Sequence, residues 1–177
     1  SVLFATGRPI RGLGVLAAVA ADTEAVVASN GAVLYDLAAE QVLVSHPIPG
    51  GLIAAVCADL RAAIDGVEFG FEHGTSFSCT AGYQVRGLLD ETITVVTPDD
   101  GFDDVVKVLV QQPALDADLL HSLAEPVVGD RLTVTHSSHD GFGLLELSVA
   151  GVTKASMISH WCAERGIPAA AVAAFGD

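Results

Sequence analysis

Hydrophobic positions near the start of the chain form short continuous runs separated by a longer helical pattern. The run at residues 2–5 predicts a strand, the apolar segment that follows to about Ala21 predicts a helix, and the run at residues 25–28 predicts a second strand. Runs that are apolar at every position are typical of strands buried on both faces. This order of elements predicts a parallel sheet covered by helices, and therefore the α/β class.

The middle of the chain mixes helices and strands in a different way. It follows the most linker-like stretch, HPIPGG at residues 46–51, and its spacing predicts helices over residues 52–64 and near residues 116–124. Alternating runs at residues 131–136 and 144–149 predict a hairpin. Further strand-like runs are found at residues 67–72, 77–85, 93–96 and 105–111.

The end of the chain returns to a helix followed by a strand. Thr153 is a favourable N-cap residue, Met157 and Trp161 continue at helical spacing, and a Gly-Ile-Pro break ends the segment. The apolar run at residues 172–175 then predicts a further strand.

With Thr153 as N-cap, Lys154 is predicted to be the first residue of the helix. A cation there opposes the partial positive charge of the helix N-terminus, at a cost of roughly 0.3–1 kcal/mol. A solvent-exposed lysine that tolerates this cost is one explanation. A functional role for the ammonium group is the other.

Composition limits the classes of partner. The chain has 177 residues, of which 51% are hydrophobic, so it can bury a substantial core. Its net charge of -14, with only eight Lys and Arg residues, would repel nucleic acid and anionic membrane surfaces. A small anionic ligand would need local cations or a metal. Three cysteines without a CxxC pair favour reduced thiols and therefore a cytoplasmic protein.

Two motifs suggest other chemistry, and a third that would do so is absent. GLGVLA, starting at Gly12, matches a dinucleotide fingerprint, but the strand before it already ends near Thr6 instead of at the first glycine. His136, His139 and Asp140 offer metal ligands in a predicted turn. A serine hydrolase would need a G-x-S-x-G elbow, and the chain has none.

Polar residues at three predicted strand ends form a stronger pattern. Thr6, Asn30 and Asp177 each follow an apolar run, and ligands of open α/β sheets bind beyond the carboxyl ends of strands. A threonine hydroxyl can hold a phosphate oxygen, Lys154 can offset negative charge, and a carboxylate can bind Mg²⁺. Together these side chains suit phosphoryl transfer.

Four segments in this order carry a family resemblance: FATGRP, SNGAVLYD, GVTKAS and AFGD. They resemble the Cof-type branch of the haloacid dehalogenase (HAD) superfamily of phosphatases. The resemblance implies a partial Rossmann-like parallel-sheet HAD core with an inserted α+β cap domain. It places the first part of the core at residues 1–47, the cap at 48–148 and the second part of the core at 149–177.

The resemblance also implies roles for individual residues. Thr6, Gly7 and Arg8 correspond to the phosphate-binding turn, and Lys154 corresponds to the lysine that supports an aspartyl-phosphate. Asp177 corresponds to a Mg²⁺ ligand. Asn30 and Gly31 are expected to contact substrate. Arg8 and Arg11 either face substrate anions, form salt bridges or face solvent.

The chain departs from the family pattern at both ends. The Asp-x-Asp loop with which family members open, and which carries the nucleophile, is not found before Thr6, and the acidic loop stops at Asp177. We therefore expect these residues to be an interior portion of a longer protein and to be inactive alone. The expected activity is a Mg²⁺-dependent phosphatase of small phosphorylated metabolites. The alternative is a non-catalytic ligand-binding or interaction domain that retains the fold.

Overall fold

The computed structural model describes residues 2–85, 93–136 and 141–176. Within these ranges the chain forms two β-sheets with helices packed against both. The α/β class expected from the sequence is confirmed.

The first sheet has four strands in the order β1-β2-β3-β4. Their bounds are Leu3–Ala5, Ala25–Ala28, Val33–Asp36 and Gln41–Ser45. β1 and β2 are parallel and are joined by a 3₁₀ helix, Ile10–Asp22, whose Ile10 and Leu13 are buried. All four residues of β2 are buried, as its continuous apolar run predicts.

The hydrophobic pattern does not predict β3 and β4. Each of these strands is antiparallel to the strand before it, so parallel pairing in the described part of this sheet is confined to β1 and β2. The Asp36 carboxylate accepts hydrogen bonds from the backbone N–H groups of Ala38 and Ala39. These bonds stabilise the turn of the hairpin formed by β3 and β4.

The strand expected at residues 172–175 is not formed, so this prediction was wrong. A 3₁₀ turn at Ala169–Ala171 is followed by backbone without regular structure, and Phe175 is 97% exposed. A strand requires a hydrogen-bonded neighbour, and no described residue pairs with this segment. The hydrophobicity of residues 172–175 therefore does not by itself make them a strand.

The second sheet has six strands in the order β7-β6-β5-β8-β10-β9. In chain order their bounds are Glu68–Glu72 (β5), Phe77–Cys79 (β6), Thr94–Val95 (β7), Lys107–Gln112 (β8), Leu132–His136 (β9) and Gly143–Val149 (β10). All neighbours are antiparallel except β6 and β7. The hairpin predicted at residues 131–149 is β9 and β10.

Two helices cover one face of this sheet. They are α1, Gly50–Ala63, and α2, Ala117–Val128, and together with alternate sheet residues such as Phe69, Val108 and Leu145 they form the largest hydrophobic core. Because side chains alternate along a strand, the residues between these point to the opposite face. That face carries Glu72, Lys107, Leu109 and Glu146.

The predicted helix near the end of the chain is α3, Lys154–Glu164. Thr153 is its N-cap and forms a capping box with Ser156, so Lys154 is the first helical residue as the sequence predicts. Met157 and Trp161 are buried in a cluster with residues of β2 and β3. The apolar side of α3 thus fixes this helix on the first sheet.

The two sheets occupy residues 3–45 and 68–149, while α3 packs on the first sheet. The three-part domain division at residues 47/48 and 148/149 stays a prediction. No helix in the described ranges has both the length and the apolar character needed to cross a membrane.

Candidate active site

A cleft of about 460 Å³ separates the end of β1 from the polar face of the second sheet. Five of the residues expected in a site line it: Thr6, Gly7, Arg8, Asn30 and Lys154. Gly31 is buried and does not line the cleft. Asp177, the expected metal ligand, lies outside the described residues.

The backbone around Thr6 holds its hydroxyl in place. The Thr6 N–H donates to the Val27 carbonyl at 2.8 Å, and the Thr6 carbonyl accepts from the Asn30 N–H at 3.2 Å. The Thr6 Oγ1 accepts a hydrogen bond of 3.1 Å from the Arg8 N–H. Because this bond uses a lone pair of the oxygen, the hydroxyl proton remains available to a ligand. Within the described ranges the Thr6 hydroxyl donates no hydrogen bond to another group.

The turn after β2 is left-handed over three consecutive residues. Ser29, Asn30 and Gly31 have φ values of 49°, 60° and 108°. Left-handed backbone costs a non-glycine residue roughly 1–2 kcal/mol, so packing must maintain this turn. The packing partner is the start of α3, because a Cβ atom at Gly31 would lie 2.7 Å from the Lys154 backbone nitrogen. This close approach brings Asn30 and Lys154 to one cleft.

Unpaired positive charge is concentrated in the cleft. Arg8 and Lys154 are both exposed and make no ion pair with residues in the described ranges. The two carboxylates of the lining are paired: Glu72 receives two hydrogen bonds from the Arg11 guanidinium, and Glu146 lies 3.0 Å from the Lys107 ammonium. In a chain of net charge -14, the cleft is therefore a region whose local positive charge can attract an anion.

Lys107 connects the second sheet to the turn that follows β1. Its side chain is 2% exposed, and its Nζ donates to the Gly7 carbonyl at 2.7 Å. The Glu146 carboxylate that pairs with it also accepts a hydrogen bond from Asn30 Nδ2. Sequence reasoning missed Lys107, Glu146 and Glu72. The available signal was a single charged residue inside an apolar strand, as in VVKVLV and LLELSV.

Arg11 has the salt-bridge role that the sequence left open. Its guanidinium pairs with Glu72, which is 3% exposed, and stacks over the Phe77 ring at 5.0 Å from the ring centroid. Beside it, burial and the nearby Glu72 carboxylate raise the pKa of Tyr83. Its phenol is therefore neutral at physiological pH and can donate a hydrogen bond.

The geometry does not support the dinucleotide motif or the histidine metal site that the sequence suggested. Gly12 lies inside the 3₁₀ helix, well beyond the end of β1. His136 lines the cleft and stacks on His121 at 4.6 Å, whereas His139 and Asp140 lie outside the described residues. Within the described ranges no three His, Cys, Asp or Glu side chains form a metal-binding group.

An Asp-x-Asp spacing does occur once in the chain, at Asp116 and Asp118. It belongs to the start of α2, where the Asp116 carboxylate caps the helix by accepting from the Leu119 N–H at 2.7 Å. Neither residue lines the cleft. This pair is therefore a helix start and not a nucleophile loop.

Comparison with known proteins extends this description. A family model described as haloacid dehalogenase-like hydrolase matches residues 1–177. No curated protein matches the chain.

Several solved structures share the fold at low sequence identity. BT1666 from Bacteroides thetaiotaomicron, described among phosphatases of the HAD superfamily, has a TM-score of 0.72 at 18% identity over 97% of this chain and 62% of its own. The subclass IIB sugar phosphatase BT4131 has a TM-score of 0.69 at 16% identity over 95% of this chain and 64% of its own. SMU.1108c from Streptococcus mutans has a TM-score of 0.74 at 15% identity over 99% of this chain and 66% of its own. The chain thus spans 62–66% of the length of these three structures.

Proposed function

The chain belongs to the haloacid dehalogenase-like hydrolases, and from this membership we propose that it forms the substrate-binding part of a phosphatase. The proposed substrates are small phosphorylated metabolites. The observation that carries the proposal is the Thr6 hydroxyl, whose proton is free to donate, in a cleft that also holds the unpaired cations Arg8 and Lys154.

Each of these groups suits a phosphoryl oxygen. The Thr6 hydroxyl would donate a hydrogen bond to it, and the Lys154 ammonium would offset the negative charge that a phosphate and an attacking carboxylate bring together. Arg8 would attract the dianion into the cleft. The unfavourable position of Lys154 at the start of α3 is then explained by its ligand.

The opposite wall of the cleft would face the part of the substrate that leaves. Its carboxylates are neutralised by Arg11 and Lys107, so the wall is polar without excess charge. Leu109 adds one apolar contact. This lining favours a hydroxyl-bearing metabolite over a second phosphate or a purely apolar group.

The proposed mechanism needs an aspartate nucleophile outside this chain. Its carboxylate oxygen would bond to phosphorus as the bond to the leaving oxygen breaks, and water would then hydrolyse the aspartyl-phosphate. Mg²⁺ is the proposed cofactor and would neutralise phosphoryl charge when bound, with Asp177 as one ligand. The described residues do not complete a Mg²⁺ site themselves. The roles of Thr6, Arg8 and Lys154 do not depend on the ion.

Hydrolysis by the full-length protein tests this proposal. Phosphate release from a panel of sugar phosphates and other small phosphate monoesters should require added Mg²⁺, stop with EDTA, and fall in Thr6→Val. A matched change outside the cleft, Thr133→Val in β9, should leave the rate unchanged. Binding of inorganic phosphate without turnover of any ester would instead support the alternative, a non-catalytic domain that retains the fold. Absence of both binding and turnover would overturn the anion site.

A further inference from the structure

One peptide unit in the cleft is held at both ends. The Gly7 carbonyl and the Arg8 N–H belong to the same peptide group. The carbonyl accepts from Lys107 Nζ at 2.7 Å, and the N–H donates to Thr6 Oγ1 at 3.1 Å. Because a peptide group is planar and rigid, the orientation of its carbonyl determines the direction of its N–H. Lys107 therefore fixes the direction of the N–H group that donates to the Thr6 hydroxyl oxygen.

The direction of the Arg8 N–H decides what Thr6 can do. While that N–H occupies an acceptor site of Oγ1, the hydroxyl proton is left to point toward a ligand. If the peptide rotated, the hydroxyl would lose this partner and could turn to other acceptors. Lys107 opposes that rotation although it is 100 residues away in sequence.

The surroundings of Lys107 keep its ammonium group in one place. A buried cation needs a partner, and Glu146 supplies one at 3.0 Å. The same oxygen of Glu146 accepts from Asn30 Nδ2, so the pair is also fixed to the turn after β2. At Gly7 itself a Cβ atom would lie 2.8 Å from Asn30 Oδ1, so a side chain there would displace the Asn30 amide. Lys107 therefore reaches the Gly7 carbonyl in a closely packed setting.

We propose that Lys107 is a positioning residue for anion binding, which acts through the Gly7–Arg8 peptide to present the Thr6 hydroxyl proton to a phosphoryl oxygen. The second sheet thus contributes to phosphate binding without contacting the phosphate. This inference rests on the proposed function, because it takes the anion of the Thr6 site to be a phosphoryl group. A direct charge effect of Lys107 on the anion is the competing explanation.

A double-mutant cycle separates the two explanations. Binding of inorganic phosphate to the full-length protein is measured by calorimetry for the wild type, Lys107→Met, Thr6→Val and the double variant. If Lys107 acts through the hydroxyl, Lys107→Met weakens binding at least about tenfold when Thr6 is present and less than about twofold when it is valine. Equal losses in both backgrounds, or no loss in either, would overturn the positioning role.

A control and a fallback keep the cycle interpretable. Arg131→Met removes one positive charge from the turn just before β9, where Arg131 pairs with Asp59 at 2.9 Å, and it should change phosphate binding less than about twofold. If Lys107→Met alone does not fold because Glu146 loses its buried cation, the cycle is run with Glu146→Gln in all four proteins. An additive cycle in a wild type that binds phosphate refutes only the role of Lys107. A wild type that binds no phosphate refutes the anion site as well.

Discussion

Gly31 packs so closely against the Thr153 carbonyl that a Cβ atom at residue 31 would lie 2.2 Å from the carbonyl oxygen. This contact joins the turn after β2 to the N-cap of α3. It is the point at which two distant segments of the sequence meet at the cleft. Glycine is required here both by space and by its φ of 108°.

We predict that Gly31→Ala lowers the free energy of unfolding by about 2–4 kcal/mol, the combined cost of left-handed backbone and overpacking. Urea denaturation measures the change. Gly51→Ala is the matched control, since Gly51 lies in α1 and, apart from the backbone of its own helix, nothing lies within 4 Å of the added Cβ. The control should be neutral or stabilising by about 0.5–1 kcal/mol. Equal stabilities of the two variants would show that α3 does not approach the turn this closely.

The Arg11–Glu72 pair should behave as a buried ion pair. Arg11→Met would leave the Glu72 carboxylate, 3% exposed, without its guanidinium, and we expect a loss of about 3–5 kcal/mol in the free energy of unfolding. Adding Glu72→Gln removes the uncompensated charge and should restore more than half of that loss. Thermal or urea unfolding of both variants checks this. A double variant no more stable than Arg11→Met would contradict the prediction.

The Cys57 thiol should make stability fall at alkaline pH. Burial raises its pKa from 9.0 to about 12, against a smaller lowering by Arg61. At a pH between the two pKa values, the Cys57 thiol is deprotonated in the unfolded chain but still protonated in the folded chain. Rising pH therefore favours the unfolded state. The free energy of unfolding should fall by about 1 kcal/mol per pH unit from this thiol. Cys57→Ala should show a shallower decline between pH 9 and 11, and parallel slopes would refute the assignment.

The family and the start of α3 could be predicted from sequence because their signals are local. The resemblance rested on short segments in a fixed order, and the family model confirms it. The capping residue Thr153 and the spacing of Met157 and Trp161 placed Lys154 at the first helical position, which is also confirmed. Such signals depend on neighbouring residues and not on the rest of the fold.

Features that depend on distant partners were not predicted. The bond from Lys107 to Gly7 joins residues 100 positions apart, and hydrophobic periodicity contains no information about such a pair. The hydrophobic pattern did not predict β3 and β4, and it wrongly predicted a strand at residues 172–175. Both errors have the same cause. Apolar character marks a segment that can be buried, whereas a strand also needs a neighbour with which to pair.

Removal of the Lys154 ammonium should change activity and stability in opposite directions. Lys154→Ala removes a cation that opposes the α3 dipole, so the free energy of unfolding should stay the same or rise by about 0.3–1 kcal/mol. If the ammonium offsets phosphoryl charge, phosphate release by the full-length protein should nevertheless fall at least about tenfold, equivalent to roughly 1.4 kcal/mol. Arg165→Ala, which removes a cation near the other end of α3, should leave the rate unchanged. A near-normal rate for Lys154→Ala would mean that Lys154 is a solvated surface residue, and the cost of its position would then have no functional explanation.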